Sequence, residues 1–216
     1  MKTLSPKGQE LIKLYKQMPS SGYETTLGTT IDSEIVFSDF ESRVIRKDIK
    51  ALFKKYSIKS VLDYGCGGSD WEVADFDPES GKSAKSFYEL EKVCRYEPAR
   101  NIDERRVCDA VLNFDVLEHV FISDIPHVIR DLLKNARKLL VVNVACYPAA
   151  ATLPDGTNAH ITIRDPNWWK GVFDTLTPEF PDVSVVLITS LKWRQFNAFN
   201  PFSEKQRRLQ KGFIAI

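Results

Sequence analysis

Alternating strand-like and helix-like segments predict an α/β fold, a mainly parallel twisted sheet with helices on both faces. Three observations carry this expectation. Short apolar runs at Ser60–Tyr64, Val93–Tyr96, Ala110–Phe114, Leu139–Val144 and Val183–Thr189 have strand length and composition. Segments with helical spacing of apolar residues separate most of them. The run Leu139 to Val144 is almost wholly apolar, the pattern of a central parallel strand covered on both faces. A chain of 216 residues suffices for one well-buried domain and is short for two.

The elements follow in order. Ser5-Pro6 reads as a helix N-cap and first-turn proline; Leu11, Ile12, Tyr15 and Met18 continue at helical spacing, and Pro19 is expected to close the helix. Ser20 to Thr26 is a polar, turn-rich stretch. Ile45, Ile49, Leu52, Phe53 and Tyr56 mark one face of a second helix. Strand Ser60–Tyr64 runs into Gly65-Cys66-Gly67-Gly68, and Glu79 to Leu90 reads as the helix that follows. Ser123-Asp124-Ile125-Pro126 opens a strong helix with Val128, Ile129, Leu132, Leu133, Ala136 and Leu139 on its buried side. Tyr147 to Pro166 is a long loop rich in Pro, Gly, Asn and Asp, a length often reserved for function. Trp168 to Leu176 is helical in pattern. Residues 1–57 are thus an N-terminal helical cap and first helix, 58–190 the core sheet, and 191–216 a tail without assigned structure.

Composition narrows the function classes. Thirty basic and 29 acidic side chains nearly cancel, so no global field draws nucleic acid or an anionic membrane. The N-terminus lacks the apolar core of a signal peptide, and no run reaches a membrane span. Cys66, Cys94, Cys108 and Cys146 form no C-x-x-C pair and sit in or near apolar runs. Buried reduced thiols in a cytoplasmic setting are the expectation, with no metal site.

In parallel sheets ligands bind beyond the C-terminal strand ends, near the switch in strand order. The glycines of Val61-Leu62-Asp63-Tyr64-Gly65-Cys66-Gly67-Gly68 permit a tight turn that a ligand can approach closely. Asp63 suits a cationic partner better than a phosphate. Against the dinucleotide fingerprint G-x-G-x-x-G, Gly65 and Gly67 match, but the third position is Asp70, an acid that would face a pyrophosphate. Glu97, ending the second strand, can accept ribose hydroxyls; a surface glutamate before a proline turn is the other reading.

Together these residues resemble the class I S-adenosylmethionine-dependent methyltransferase family, whose fold is a Rossmann-like three-layer sandwich. Val61 to Gly67 is similar to its first motif, Glu97 to its ribose-binding acid, and Asp109 to Val120, with the run D-V-L-E-H, to its fourth-strand segment. Tyr96 to Ala99, the run Gly156-Thr157-Asn158-Ala159-His160 and the pair Trp168-Trp169 resemble small bacterial and phage methyltransferase-like proteins. The resemblance implies S-adenosylmethionine as cofactor. It places Asp63, Gly65 and Gly67 on the methionine part, Glu97 on the ribose and Asp115 and Val116 on the inner edge, with Tyr64, Cys66 and Pro98 as neighbouring contacts. Two departures stand out: Ser69 replaces the family's third glycine, and no third strand is evident between Asn101 and Val107.

The implied activity is methyl transfer to an oxygen or nitrogen of a small-molecule, sugar or glycan acceptor. His119 and His160 are the candidate catalytic residues, since such an acceptor can require a base. Structural roles compete with this: His119 could anchor the following loop, and His160 could brace its own. His127 is expected to be exposed. Trp168 and Trp169 could wall the acceptor pocket or belong to the core, and Lys205 to Arg208 could bind phosphate or be a solvated tail. The alternatives are a non-catalytic cofactor-binding or scaffold module, and an NAD-dependent oxidoreductase, against which Asp70 counts.

Overall fold

The computed structural model describes residues 4–33, 36, 40–192 and, as backbone, 195–199. The chain order is α1 (Pro6–Ser21), β1 (Tyr23–Glu24), β2 (Thr30–Ile31), α2 (Arg46–Lys55), β3 (Ser60–Tyr64), α3 (Ala84–Tyr88), β4 (Lys92–Glu97) and β5 (Ile102–Asp103). It continues with β6 (Cys108–Phe114), α4 (Ile125–Asn135), β7 (Ala136–Ala145), α5 (Pro166–Leu176), β8 (Ser184–Lys192) and β9 (Gln195–Phe199). A seven-stranded sheet has the order β5-β4-β3-β6-β7-β8-β9. The five central strands run parallel, while β5 and β9 pair antiparallel at the two edges. The protein is therefore α/β with a mostly parallel sheet flanked by helices. From β3 the chain moves outward to β4 and then returns to β6 on the other side, so strand order switches between β3 and β6.

Alternation along each strand sorts side chains to two cores. Val61, Ala110, Leu112, Leu139, Val141, Val186 and Ile188 pack under α2 and α3 with Trp71 and Phe76. Leu62, Val111, Leu140, Val142, Val144 and Leu187 pack on the opposite face under α4 and α5. This is the period of two that separates alternate side chains of a strand.

A third, smaller cluster joins α1 to the long loop: Leu11, Met18 and Val36 meet Ala149, Leu153 and Ala159. The β1–β2 hairpin is stitched to the same loop, with Thr26 N donating to Ala150 O and Thr152 N to Glu24 O. Ser5 caps α1 by accepting from Gly8 N, while its own N–H and hydroxyl donate to Asp124 at the start of α4. The cap expected over residues 1–57 thus draws on the loop after β7 as well. No helix among the described residues is long and apolar enough to cross a membrane.

Several boundaries differ from expectation. Helix α1 runs past Pro19 to Ser21, with the Ser20 and Ser21 hydroxyls donating to the Lys16 and Gln17 carbonyls, and Gly22, with φ +73°, ends it. The helix expected from Glu79 to Leu90 is only Ala84–Tyr88. Asp77 accepts from Ser80 N and Oγ and pairs with Arg46, folding residues 77–82 into a turn that competes with helix. Ala136 and Leu139 belong to β7, which follows α4 without a loop. The elusive third strand is the two-residue β5, too short for a periodic signal. Lys205 to Arg208 lie outside the described residues.

Leu132 is fully buried between α4 and the sheet. Leu132→Ala is expected to lower unfolding free energy by about 2–5 kcal/mol with an unchanged denaturant slope. Urea titration followed by circular dichroism measures both.

Candidate functional site

An open cleft of about 1750 Å³ lies at the C-terminal strand ends, next to the switch between β3 and β6. Single-ligand pockets usually occupy roughly 300–1,000 Å³, so two reactants fit. Its lining includes every residue assigned to the cofactor from the sequence: Asp63, Tyr64, Gly65, Cys66, Gly67, Glu97, Pro98, Asp115 and Val116. His119 and His160 line it too.

One lip is the glycine turn. The Gly65 and Cys66 N–H groups both donate to Tyr96 O, at 2.7 and 3.2 Å, folding the turn onto the end of β4. Gly65 has φ +86°, and a Cβ there would lie 2.2 Å from Val116 Cγ2. Glycine is thus required twice, by the dihedral and by the approach of Val116 in the segment after β6. Ser69, the departure from the expected glycine, closes the turn with its hydroxyl against Asp63 Oδ2 and Cys66 O.

Asp63 Oδ2 also accepts from Trp71 Nε1, and Oδ1 accepts no hydrogen bond from the described residues. Burial pushes the Asp63 carboxyl up to about 6, against the opposing pull of the Trp71 and Ser69 donors. Glu97 accepts from Gly67 N through Oε2 and from Ala99 N through Oε1, so it ties the turn to β4. Burial raises its pKa as well, those two N–H groups opposing the shift. Pro98 opens a short 3-10 turn directly after it. Tyr64 spends its hydroxyl on Asp131 and packs against Tyr96, which leaves its backbone and ring edge for the cleft. The Cys66 thiol is buried and pushed far above its ordinary range, by burial first and then by Asp63 and Glu97.

The other side is built by the segment after β6 and by the long loop. Asp115 adopts φ +58°, the left-handed region, held by its N–H donating to Asn143 O on β7. A short 3-10 turn, Leu117–His119, follows. His119 Nδ1 lies 2.9 Å from Ala159 O and 2.6 Å from Tyr15 Oη, while the Tyr15 hydroxyl donates to Ala159 O at 2.7 Å. His160 is 7% exposed; its Nδ1 lies 2.5 Å from Tyr147 O and its Nε2 3.9 Å from Asp115 Oδ1. The two imidazoles meet edge to face, with centroids 4.9 Å apart. Burial pulls His119 down to about 4, which keeps it neutral near pH 7. Glu118 is fully buried; burial and the neighbouring Asp115 charge hold its carboxyl well above the usual range.

Both readings of the histidines meet in these rings: each Nδ1 braces backbone, while each ring borders the cleft. Trp169 is core and Trp168 packs against it on α5; neither lines the cleft, so they do not wall an acceptor pocket there. His127 is half-buried rather than exposed. All four cysteines are free. The sequence reading did not single out Tyr15, Glu118, Tyr147 or the buried polar residues Asn113, Asn143 and Ser190 at the strand ends. Glu118 stood in the D-V-L-E-H run, and Asn113 and Asn143 interrupt otherwise apolar strands, signals that could have found them. Comparison of the chain with protein-family models, curated proteins and solved structures finds no match.

Gly65→Ala is expected to destabilise the fold by about 2 kcal/mol or more, from the dihedral and the Val116 contact together. Adding Val116→Ala restores part of that loss, because it removes the methyl but leaves the dihedral strained. A double-mutant cycle in chemical denaturation measures the coupling; purely additive losses contradict the contact.

Proposed function

We propose that the chain is an S-adenosylmethionine-dependent methyltransferase of Rossmann-like fold, acting on an oxygen or nitrogen of a small-molecule or glycan acceptor. The observation that carries the reading is the pair of carboxylates, Asp63 and Glu97, flanking the Gly65–Gly67 turn in a cleft beside the strand-order switch. Counting only the strands from β3 to β8, their order is 3-2-1-4-5-6, the order of a doubly wound nucleotide-binding sheet, except that the two-residue third strand, β5, runs antiparallel.

The residues present fit this cofactor. Asp63 Oδ1 is free to meet an ammonium at the methionine end. Each Glu97 oxygen accepts one backbone N–H and keeps a second lone pair for a ribose hydroxyl. A pyrophosphate would instead face Asp63 and Glu97, which disfavours a dinucleotide. When bound, S-adenosylmethionine supplies a methyl carbon already activated by its sulfonium. The protein's part is to align and to exclude water, which can provide roughly 7–11 kcal/mol. The cap of α1 and the long loop serves that end by covering the cleft beside Asp115, His119 and His160. Four free cysteines suit a reducing, cytoplasmic setting.

Thermal shift separates the readings, since a ligand of the native state raises its stability. Stabilisation by S-adenosylmethionine or its demethylated product is expected; stabilisation by NAD alone would overturn the proposal. Glu97→Gln should weaken the cofactor about tenfold or more in calorimetry, because the amide nitrogen that replaces one carboxylate oxygen can accept neither a backbone N–H nor a ribose hydroxyl, and circular dichroism checks that the fold persists.

His160→Ala should cut turnover more than cofactor affinity, and equal losses would move His160 off the acceptor side. Affinity should also depend on pH through Asp63, whose carboxyl takes a proton below about 6. An ammonium partner needs that group ionised. Affinity is therefore flat above this value and falls by up to about tenfold per unit below it. Calorimetry across pH 5 to 7.5 reads this directly, and an affinity that rises on acidification would contradict it.

A further inference from the structure

Three of the residues bordering the cleft also form a cluster with the chemistry of a metal site. One carboxylate oxygen of Asp115 and one ring nitrogen each of His119 and His160 lie within 4.8 Å of one another. Ligands of one ion with bonds of about 2.0–2.2 Å stand roughly 3.0–3.5 Å apart at tetrahedral or right angles, so the side chains would draw in by up to about 1.5 Å to close the set.

Neighbouring acceptors set the tautomers of the two imidazoles. Tyr147 O faces His160 Nδ1 and can only accept, so that nitrogen carries the proton and Nε2 holds the lone pair. At His119, the Tyr15 hydroxyl gives its proton to Ala159 O, so both neighbours of Nδ1 act as acceptors and the same tautomer follows. A ring whose N–H is pinned by a backbone carbonyl is how ligating histidines are held.

A second observation lies next to the cluster. Glu118 is fully buried; its Oε1 accepts from Ala145 N, and Oε2 has no hydrogen-bond partner. Among the described residues no lysine or arginine pairs with Asp115 or Glu118; the one ion-pair partner of Asp115 is His160. Glu118 Oε2 is thus a buried polar atom without a hydrogen-bond partner, one residue before His119.

We propose that Asp115, His119 and His160 bind one divalent first-row transition ion. Two imidazoles favour Mn²⁺, Fe²⁺, Co²⁺ or Zn²⁺ over Mg²⁺ or Ca²⁺, which prefer oxygen. Three protein ligands leave positions open toward the cleft. If the methyltransferase reading holds, on which this clause alone rests, those positions take an oxygen of the acceptor.

The test is a Co²⁺ titration of the full chain, stripped of metal and free of any affinity tag, without adenosyl ligand. One Co²⁺ per chain is expected by calorimetry, with the visible absorption of imidazole-bound cobalt. Asp115→Asn should weaken binding at least about tenfold; asparagine tolerates the left-handed backbone at this position, so the fold should survive. His119→Ala with His160→Ala should abolish the visible band. Absence of saturable binding up to about 1 mM Co²⁺ would overturn the site. So would unchanged binding by Asp115→Asn and the double variant. Cobalt bound by a chain that ignores S-adenosylmethionine would leave the ion site standing and sink the methyltransferase reading; the reverse pattern would sink the ion site alone.

Discussion

The contact between Gly65 and Val116 holds the two halves of the cleft together. Gly65 follows β3 and Val116 follows β6, the adjacent strands between which the chain reverses its direction of progress. On one side of that contact lie Asp63 and Glu97, joined by the glycine turn. On the other lie Asp115, Glu118 and His119, carried by a single short turn. A side chain at residue 65 would push the two groups apart by a carbon's width. The spacing between the carboxylate lip and the histidine side is therefore set by backbone packing rather than by the cleft-lining side chains themselves.

Around that contact the fold arranges its polar atoms with economy. Tyr96 O receives two N–H groups of the turn, Glu97 receives two more, and Asn113 Nδ2 donates to Tyr64 O beneath. Ser190 reaches Asn143 one strand further along. These bonds satisfy strand ends that would otherwise be buried without partners, a requirement of any cleft cut into a parallel sheet. The exceptions, Asn113 Oδ1 and Glu118 Oε2, both lie in β6 or the turn after it.

Much of this was legible in the sequence, and the limits have physical causes. Ser60–Tyr64 was read to the residue, because a β-branched and apolar run met a glycine turn at once. Asp63, the glycines and Glu97 are legible as cleft-lining residues because each sits at the end of a strand whose pattern is local. The turn around Asp77 was missed, since a side chain accepting from its own backbone leaves no periodic trace. Tyr15 read only as one face of a helix; its hydroxyl meets His119, 104 residues later, through tertiary packing alone. Likewise the run D-V-L-E-H identified the segment, but nothing local says that His160 arrives from 41 residues beyond His119 to complete it.

Cys66 stands at the centre of the glycine turn, yet its sulfur is covered and kept protonated by burial and by two carboxylates. Nucleophilic thiol chemistry needs the anion and an open approach, and this position denies both. The pocket therefore carries sulfur without carrying a redox handle. Alkylating reagents and mild oxidants should pass it by for as long as the turn stays folded against β4, which makes the thiol a silent reporter of whether that turn has opened.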